Sequence, residues 1–154
     1  MLTNAIKRID HVAIVVRSLD DALAFYRDML GIAPSHVIDF PREGVKIAFL
    51  PLGGQNGSEI ELLEPTSAET GVARFLQKHG GGLHHICLEV PDIEQALVEL
   101  RASGAQLLDE APRPTAEGRG VFLHPREAQG VLIELVQRAT TADQPHDASV
   151  SDGR

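Results

Sequence analysis

The segment IDHVAI at residues 9–14 returns as LHHICL at residues 83–88, and each copy is a short apolar run with histidine in third place. The two histidines, His11 and His85, lie 74 positions apart. Three further pairs keep this spacing to within one residue: LDDAL at 19–23 with IEQAL at 93–97, FL at 49–50 with FL at 122–123, and IEL at 60–62 with IEL at 133–135. Four pairs of similar segments at nearly the same spacing predict a duplicated module.

Each copy carries signals for a strand, then a helix, then further strands. Ser18 and Asp92 open capping boxes, so we expect a helix to begin after each, with Gly31 and Gly104 as the C-terminal stops. A short helix is expected within residues 66–78. Runs of apolar and β-branched residues predict strands at 9–16, 45–50, 59–63, 120–124 and 131–137.

The predicted elements form one domain over residues 1–137, with module one at about 6–65 and module two at about 80–137. A chain of 154 residues is long enough to bury a core without disulfides. Beyond Gln137 the apolar pattern stops, and the composition turns to Thr, Asp, Ser and Pro. We therefore expect residues 138–154 to be a disordered tail.

Charge and cysteine content exclude several classes of protein. The 14 Lys and Arg against 22 Asp and Glu give a formal net charge of −8, which argues against binding to a nucleic acid. The single cysteine, Cys87, excludes a disulfide framework and a multi-cysteine metal site. No apolar run has the length of a membrane span and the N-terminus lacks the apolar core of a signal peptide, so we expect no membrane partner and a cytoplasmic location.

The repeat places two histidines and two glutamates at matched positions. His11 and His85 lie on the equivalent first strands, and Glu61 and Glu134 lie on the equivalent last strands. Two imidazoles and two carboxylates suit a divalent transition metal such as Co, Ni, Zn, Mn or Fe, and they leave two coordination positions open for a chelating substrate. Taken singly, each histidine would be a structural residue and each glutamate a solvated one; their matched recurrence is what favours a metal site.

Other polar residues near these positions are interpreted more simply. His84 and Asp10 each neighbour a candidate ligand, and we expect them to support the site or to pack rather than to bind metal. Cys87 is interpreted as a small buried residue. His124 precedes Pro125 at a strand end, where it could meet a polar substrate group or be an ordinary turn residue.

These residues resemble the vicinal-oxygen-chelate superfamily, which includes glyoxalase I, fosfomycin-resistance proteins and extradiol dioxygenases. Within it the chain is most similar to the methylmalonyl-CoA epimerases, and the similarity runs from about Ile9 to Gln137. The stretches that carry it are IDHVAI (9–14), FYRD (25–28), GVKIAFLP (44–51), IELLEP (60–65), GLHHICLEV (82–90), FLHP (122–125) and GVLIELVQ (130–137).

The resemblance implies an α+β fold in which two tandem βαβββ modules form a curved mixed sheet around a metal site, in a homodimer. It implies that His11, His85 and Glu134 are ligands of a divalent metal, with Glu61 at a fourth position, and Co is the ion we expect first. The implied reaction interconverts (R)- and (S)-methylmalonyl-CoA through a metal-stabilised enolate, with an acyl-CoA as the small-molecule partner. Glu134 is our candidate for one catalytic base.

Three departures from the family pattern bear on the chemistry. Ile47 stands where some epimerases have a second catalytic glutamate, so water, Glu61 or a residue of the loop at 114–119 is left to carry the second proton. That loop is less glycine-rich and one residue shorter than in the family, and Arg126 stands where Lys is common. A glyoxalase-I-like isomerase (a lactoylglutathione lyase) and a non-catalytic small-molecule-binding protein of the same fold are the alternative functions.

Overall fold

A computed structural model describes residues 1–3 and 6–140. The first module contains β1 (Arg8–Val15), α1 (Leu19–Tyr26), β2 (His36–Phe40), β3 (Val45–Pro51) and β4 (Glu59–Pro65). A connecting helix, α2 (Gly71–His79), leads to the second module, which contains β5 (Gly82–Glu89), α3 (Ile93–Ala102), β6 (Arg113–Pro114), β7 (Gly118–Leu123) and β8 (Ile133–Arg138).

All eight strands form one curved mixed sheet in the order β2-β3-β4-β1-β5-β8-β7-β6. Read from the centre outward, the two halves have the same order: the first strand of each module, then its last, its third and its second. The first and last strands of each module pair in parallel, and the other pairings are antiparallel. The predicted tandem of two βαβββ modules is confirmed.

The helices begin where the capping residues predicted. The Ser18 side chain accepts a hydrogen bond from Asp21 N, and the Asp92 side chain accepts one from Gln95 N. Each bond satisfies an amide that the first helical turn leaves without a backbone partner. Helix α3 stops just before Gly104, whose φ is +78°, whereas α1 ends at Tyr26 and reaches Gly31 through a further turn.

Strand β3 shows how the sheet is covered on both faces. Ile47 and Phe49 are buried in one apolar cluster with β1, β4 and α2, while Ala48 and Leu50 are buried in another with α1. A strand buried on both faces loses the apolar–polar alternation of a half-exposed strand. A third apolar cluster joins α3 to β7 and β8 in the second module. None of the helices in the described part of the chain is long and apolar enough to span a membrane.

Two short strands and one boundary differ from the sequence-based expectation. Strands β2 and β6 were not predicted: β2 is a largely exposed edge strand with only Ile38 and Phe40 packed against the core, and β6 spans only two residues. Arg138, expected to be the first residue of the tail, belongs to β8, where its guanidinium binds the buried Asp10. Residues 141–154 lie outside the described residues, so the disorder expected there and the domain bounds stay predictions.

Candidate metal centre and active site

The central strand pair brings the two repeated histidines to one face of the sheet. In the antiparallel register of β1 and β5, His11 is opposite Cys87 and Ala13 is opposite His85. Paired residues and residues two apart share a face of a sheet, so both imidazoles lie on the same side. Their Nε2 atoms are 3.1 Å apart, and both residues are buried.

Glu134 joins this pair from the neighbouring strand. It lies on β8 beside Cys87 of β5, and its Oε2 is 3.0 Å from His85 Nε2 and 3.6 Å from His11 Nε2. The ligand atoms of His11, His85 and Glu134 all lie within 4.8 Å of one another. Two imidazole nitrogens and one carboxylate oxygen converging on a point is an arrangement that can hold a transition metal.

Glu61 lies at the same cavity but approaches the other nitrogen of His11. Its Oε1 is 3.4 Å from His11 Nδ1, whereas His85 and Glu134 gather around His11 Nε2. Glu61 forms a second cluster with the buried His11 and the half-buried Glu117, a residue of the β6–β7 turn. The structure therefore brings three of the four expected ligands together directly and holds the fourth beside them.

The residues present fit a bound cation. Glu61 Oε1 and Glu117 Oε1 are both buried without a hydrogen-bond partner among the described residues. Burial and the adjacent Glu117 carboxyl raise the pKa of Glu61 well above its ordinary value. The cavity between the clusters has a volume of about 20 Å³, enough for one water-sized occupant. A cation there would satisfy carboxylate oxygens that are otherwise unpaired.

Supporting contacts orient both histidines. The His11 Nδ1 atom is 2.9 Å from Asp10 Oδ1, and Arg138 donates to both oxygens of Asp10 at 2.6 and 3.1 Å. The His85 Nδ1 atom is 2.8 Å from Nδ1 of His84. Burial, and then the neighbouring His85, lower the pKa of His84 to about 4, so His84 is neutral and can accept this hydrogen bond. Each histidine thus keeps its Nε2 toward the cluster.

Charge at the cluster keeps Glu134 ionised. Burial alone would raise the pKa of Glu134, but its hydrogen bond with His85 and the charges of His11 and Arg113 outweigh burial and lower the pKa to about 2. Burial would likewise lower the pKa of His11, yet the hydrogen bond with Asp10 and the nearby carboxylates raise it. The carboxylate of Glu134 is therefore available as a ligand or a proton acceptor at neutral pH.

Comparison with known proteins identifies the family. Residues 10–123 match the model of the glyoxalase/bleomycin resistance protein/dioxygenase superfamily. The chain belongs to this superfamily. It is 42% identical over 135 residues to the ethylmalonyl-CoA/methylmalonyl-CoA epimerase of Cereibacter sphaeroides (86% of this chain, 98% of the relative), and 42% identical over 132 residues to the human mitochondrial methylmalonyl-CoA epimerase (84% and 73%).

A solved structure of a glyoxalase-superfamily relative supports the same fold. It is a variant of Streptomyces coelicolor methylmalonyl-CoA epimerase in complex with 2-nitronate-propionyl-CoA. The two structures superpose with a TM-score of 0.83 at 35% sequence identity, over 88% of this chain and all of that one.

The small cavity at the histidine–glutamate cluster adjoins a larger cavity of about 480 Å³. It borders the small cavity at four shared residues, Glu43, Leu63, His85 and Phe122. Its other walls come from the turn before β3 and from the start of α2. The cavity can admit a small acyl group as far as the histidine–glutamate cluster.

Sequence reasoning missed Arg113, which contacts both Glu134 and Phe122. Its Nη2 donates to Glu134 Oε1 at 3.0 Å, and its guanidinium carbon lies 4.3 Å from the Phe122 ring centroid. Arg113 lies in the two-residue strand β6, outside the segments that repeat, so periodicity gave no signal for it. His124 accepts a hydrogen bond from Arg126 N at the start of a 3-10 turn, which agrees with the turn-residue alternative.

Proposed function

We propose that this protein is a methylmalonyl-CoA epimerase. The observation that carries the proposal is the buried cluster of His11, His85 and Glu134 at the inner end of an open cavity, in a chain 42% identical to an ethylmalonyl-CoA/methylmalonyl-CoA epimerase over 98% of that relative. The reaction inverts the α-carbon of the acyl group, which requires removal of one proton and return of another.

In this proposal Glu134 serves two purposes through its two oxygens. Oε2 faces the histidines and is available as a ligand, while Oε1 accepts the hydrogen bond from Arg113. A divalent metal held by His11, His85 and Glu134, with Glu61 as a fourth ligand, would act as a Lewis acid that withdraws charge from the substrate oxygens. Glu134, ionised at neutral pH, is placed to accept the α-proton as that charge develops.

The remaining assignments are extensions of the same proposal. The mixed nitrogen and oxygen donor set suits a divalent transition metal; we propose Co as the ion, with Mn, Ni, Zn and Fe able to occupy the same ligands. We also propose a homodimer and a cytoplasmic location. Metal analysis of the protein as purified tests the identity of the ion. Sedimentation tests the homodimer, and fractionation of cells tests the cytoplasmic location.

The function is tested by assaying the Co-loaded protein with methylmalonyl-CoA in D₂O. We expect interconversion of the two epimers and appearance of deuterium at the α-carbon. Ethylmalonyl-CoA and a glutathione hemithioacetal are assayed in parallel, which separates acyl-CoA epimerisation from glyoxalase chemistry. Turnover of the hemithioacetal with no epimerisation of either acyl-CoA would contradict the proposal, and binding of methylmalonyl-CoA without turnover would favour the non-catalytic alternative.

A further inference from the structure

Epimerisation at this site needs a second proton carrier, and strand β3 does not supply one. Inversion at a carbon requires a proton to leave one face and another to arrive at the opposite face. Ile47 of β3 lines the small cavity together with Glu134 and is buried, but its side chain cannot transfer a proton. The second proton carrier must therefore be water or a group from another element of the wall.

Glu43 lies on that wall, in the turn between β2 and β3. Among the residues that the structure describes, it is the one carboxylate that lines both the small cavity at the cluster and the 480 Å³ cavity beside it. The other carboxylates of the small cavity do not line the larger one: Glu134 contacts His85, and Glu61 and Glu117 form a cluster with His11. Glu43 thus stands at the boundary where a substrate α-carbon would meet the cluster.

The backbone of the β2–β3 turn fixes the position of Glu43. Its amide donates to Phe40 O at 3.1 Å, and the next residue, Gly44, has a φ of +63°. A Cβ on Gly44 would collide with Cγ2 of Thr70, the residue that caps α2. The turn is therefore packed against the start of α2 and requires glycine, which holds Glu43 in place over the cavity.

Arg113 relates Glu43 to Glu134. Its Nη1 is 3.8 Å from Glu43 Oε1, and its Nη2 is 3.0 Å from Glu134 Oε1. The two carboxylates therefore lie against different nitrogens of one guanidinium, Glu43 from the first module and Glu134 from the second. Burial raises the pKa of Glu43 above its ordinary value, even though the charge of Arg113 opposes the rise, and a raised pKa suits a group that must also donate a proton.

We propose that Glu43 is a catalytic residue of this enzyme and carries the proton on the face of the substrate opposite Glu134. The inference rests on the proposed epimerase function. In one direction Glu134 takes the α-proton, the C–H electron pair remains on the substrate as an enolate, and the protonated Glu43 donates its proton to form the new C–H bond. In the other direction Glu43 takes the α-proton and the protonated Glu134 donates. Proton exchange with solvent restores the starting protonation of both groups between turnovers.

The test is Glu43→Gln in the metal-loaded enzyme, followed separately from each epimer in D₂O. We expect kcat for epimerisation to fall by about 10²- to 10⁴-fold, the usual contribution of a general acid–base group. One epimer, the one whose proton Glu134 removes, should still gain deuterium with its configuration retained, while the other epimer gains none. Glu43→Asp should restore part of the rate, and the metal content of both variants should equal that of the wild type.

Glu110→Gln is the matched control, since it neutralises one exposed carboxylate and should leave rate and exchange unchanged. Epimerisation by Glu43→Gln at the wild-type rate would overturn the assignment, as would equal loss of exchange from both epimers in a folded, metal-loaded variant. Absence of both epimerisation and exchange in the wild type would instead overturn the epimerase function itself. These results are distinguishable because the first two require an active wild type.

Discussion

Val12 and Ile86 pair with each other across the two central strands, and they are also each other's counterparts in the repeat, 74 positions apart. A local twofold axis of the sheet therefore passes between them. His11 and His85 each precede one member of this pair. The twofold relation therefore puts their side chains on the same face of the sheet, on opposite sides of the axis. The duplication thus converts one histidine per module into a pair of imidazoles whose Nε2 atoms are 3.1 Å apart.

Removal of one imidazole should abolish tight metal binding. His85→Ala deletes a nitrogen at the centre of the three-residue cluster, and we expect affinity for Co to fall by more than about 100-fold, beyond the loss typical of a supporting residue. Metal retained after dialysis, measured by elemental analysis, checks this. His79→Ala removes an exposed histidine and serves as the control. Full occupancy of His85→Ala would show that His85 is not a ligand.

The ion pair between the buried Asp10 and the half-buried Arg138 should make the stability of the protein depend on pH in the acid range. Burial alone would raise the pKa of Asp10, but hydrogen bonds from His11 and Arg138 lower it from 3.8 to about 2. Because the folded pKa is depressed, the ionised Asp10 stabilises the protein above its unfolded pKa, and this contribution, roughly 2 kcal/mol, is lost as pH falls through the folded pKa.

Denaturant unfolding of the metal-free protein between about pH 5 and pH 2 measures this loss. Asp10→Asn should be less stable at neutral pH, since Arg138 loses its ion pair with Asp10 and keeps only the one with Glu59, and it should show a weaker dependence on pH in this range. Asp39→Asn, at an exposed position of β2, should keep the wild-type dependence. An unchanged slope in Asp10→Asn would show that another carboxyl group is responsible.

The repeat made the modules predictable, because equivalent apolar and histidine positions recur regardless of the loops between them. It did not predict where Glu61 directs its carboxylate, since the choice between the two nitrogens of His11 depends on packing against Glu117 from the β6–β7 turn. Glu43 and Arg113 were missed for a related reason. Both lie in a turn or a two-residue strand with no periodic pattern, so only the folded chain brings them to the cluster.

Gly120 should be required for the position of the Glu134 side chain. A Cβ at this position would lie 2.9 Å from Leu135 O and 3.0 Å from Glu134 Oε1. Gly120→Ala should therefore destabilise the protein by about 1–3 kcal/mol, as overpacking does, and should weaken metal binding by shifting Glu134. Gly71→Ala, where the nearest atom would be 3.8 Å away, is the control. Wild-type metal affinity in a folded Gly120→Ala would contradict this role.

Cys87 should be unreactive in the folded protein. It is fully buried opposite His11, and burial, reinforced by the negative charges of Glu134 and Asp10, raises the pKa of its thiol far above the ordinary value. Only the thiolate reacts with disulfide reagents, so we expect negligible labelling by such a reagent at about pH 8 without denaturant and one equivalent on unfolding.

The rate of Cys87 labelling should follow global unfolding. It should drop further when Co is bound, because a metal that binds the folded state suppresses unfolding. Rapid labelling of the native protein would show that the central strand pair opens locally and that the cluster is not shielded from solvent.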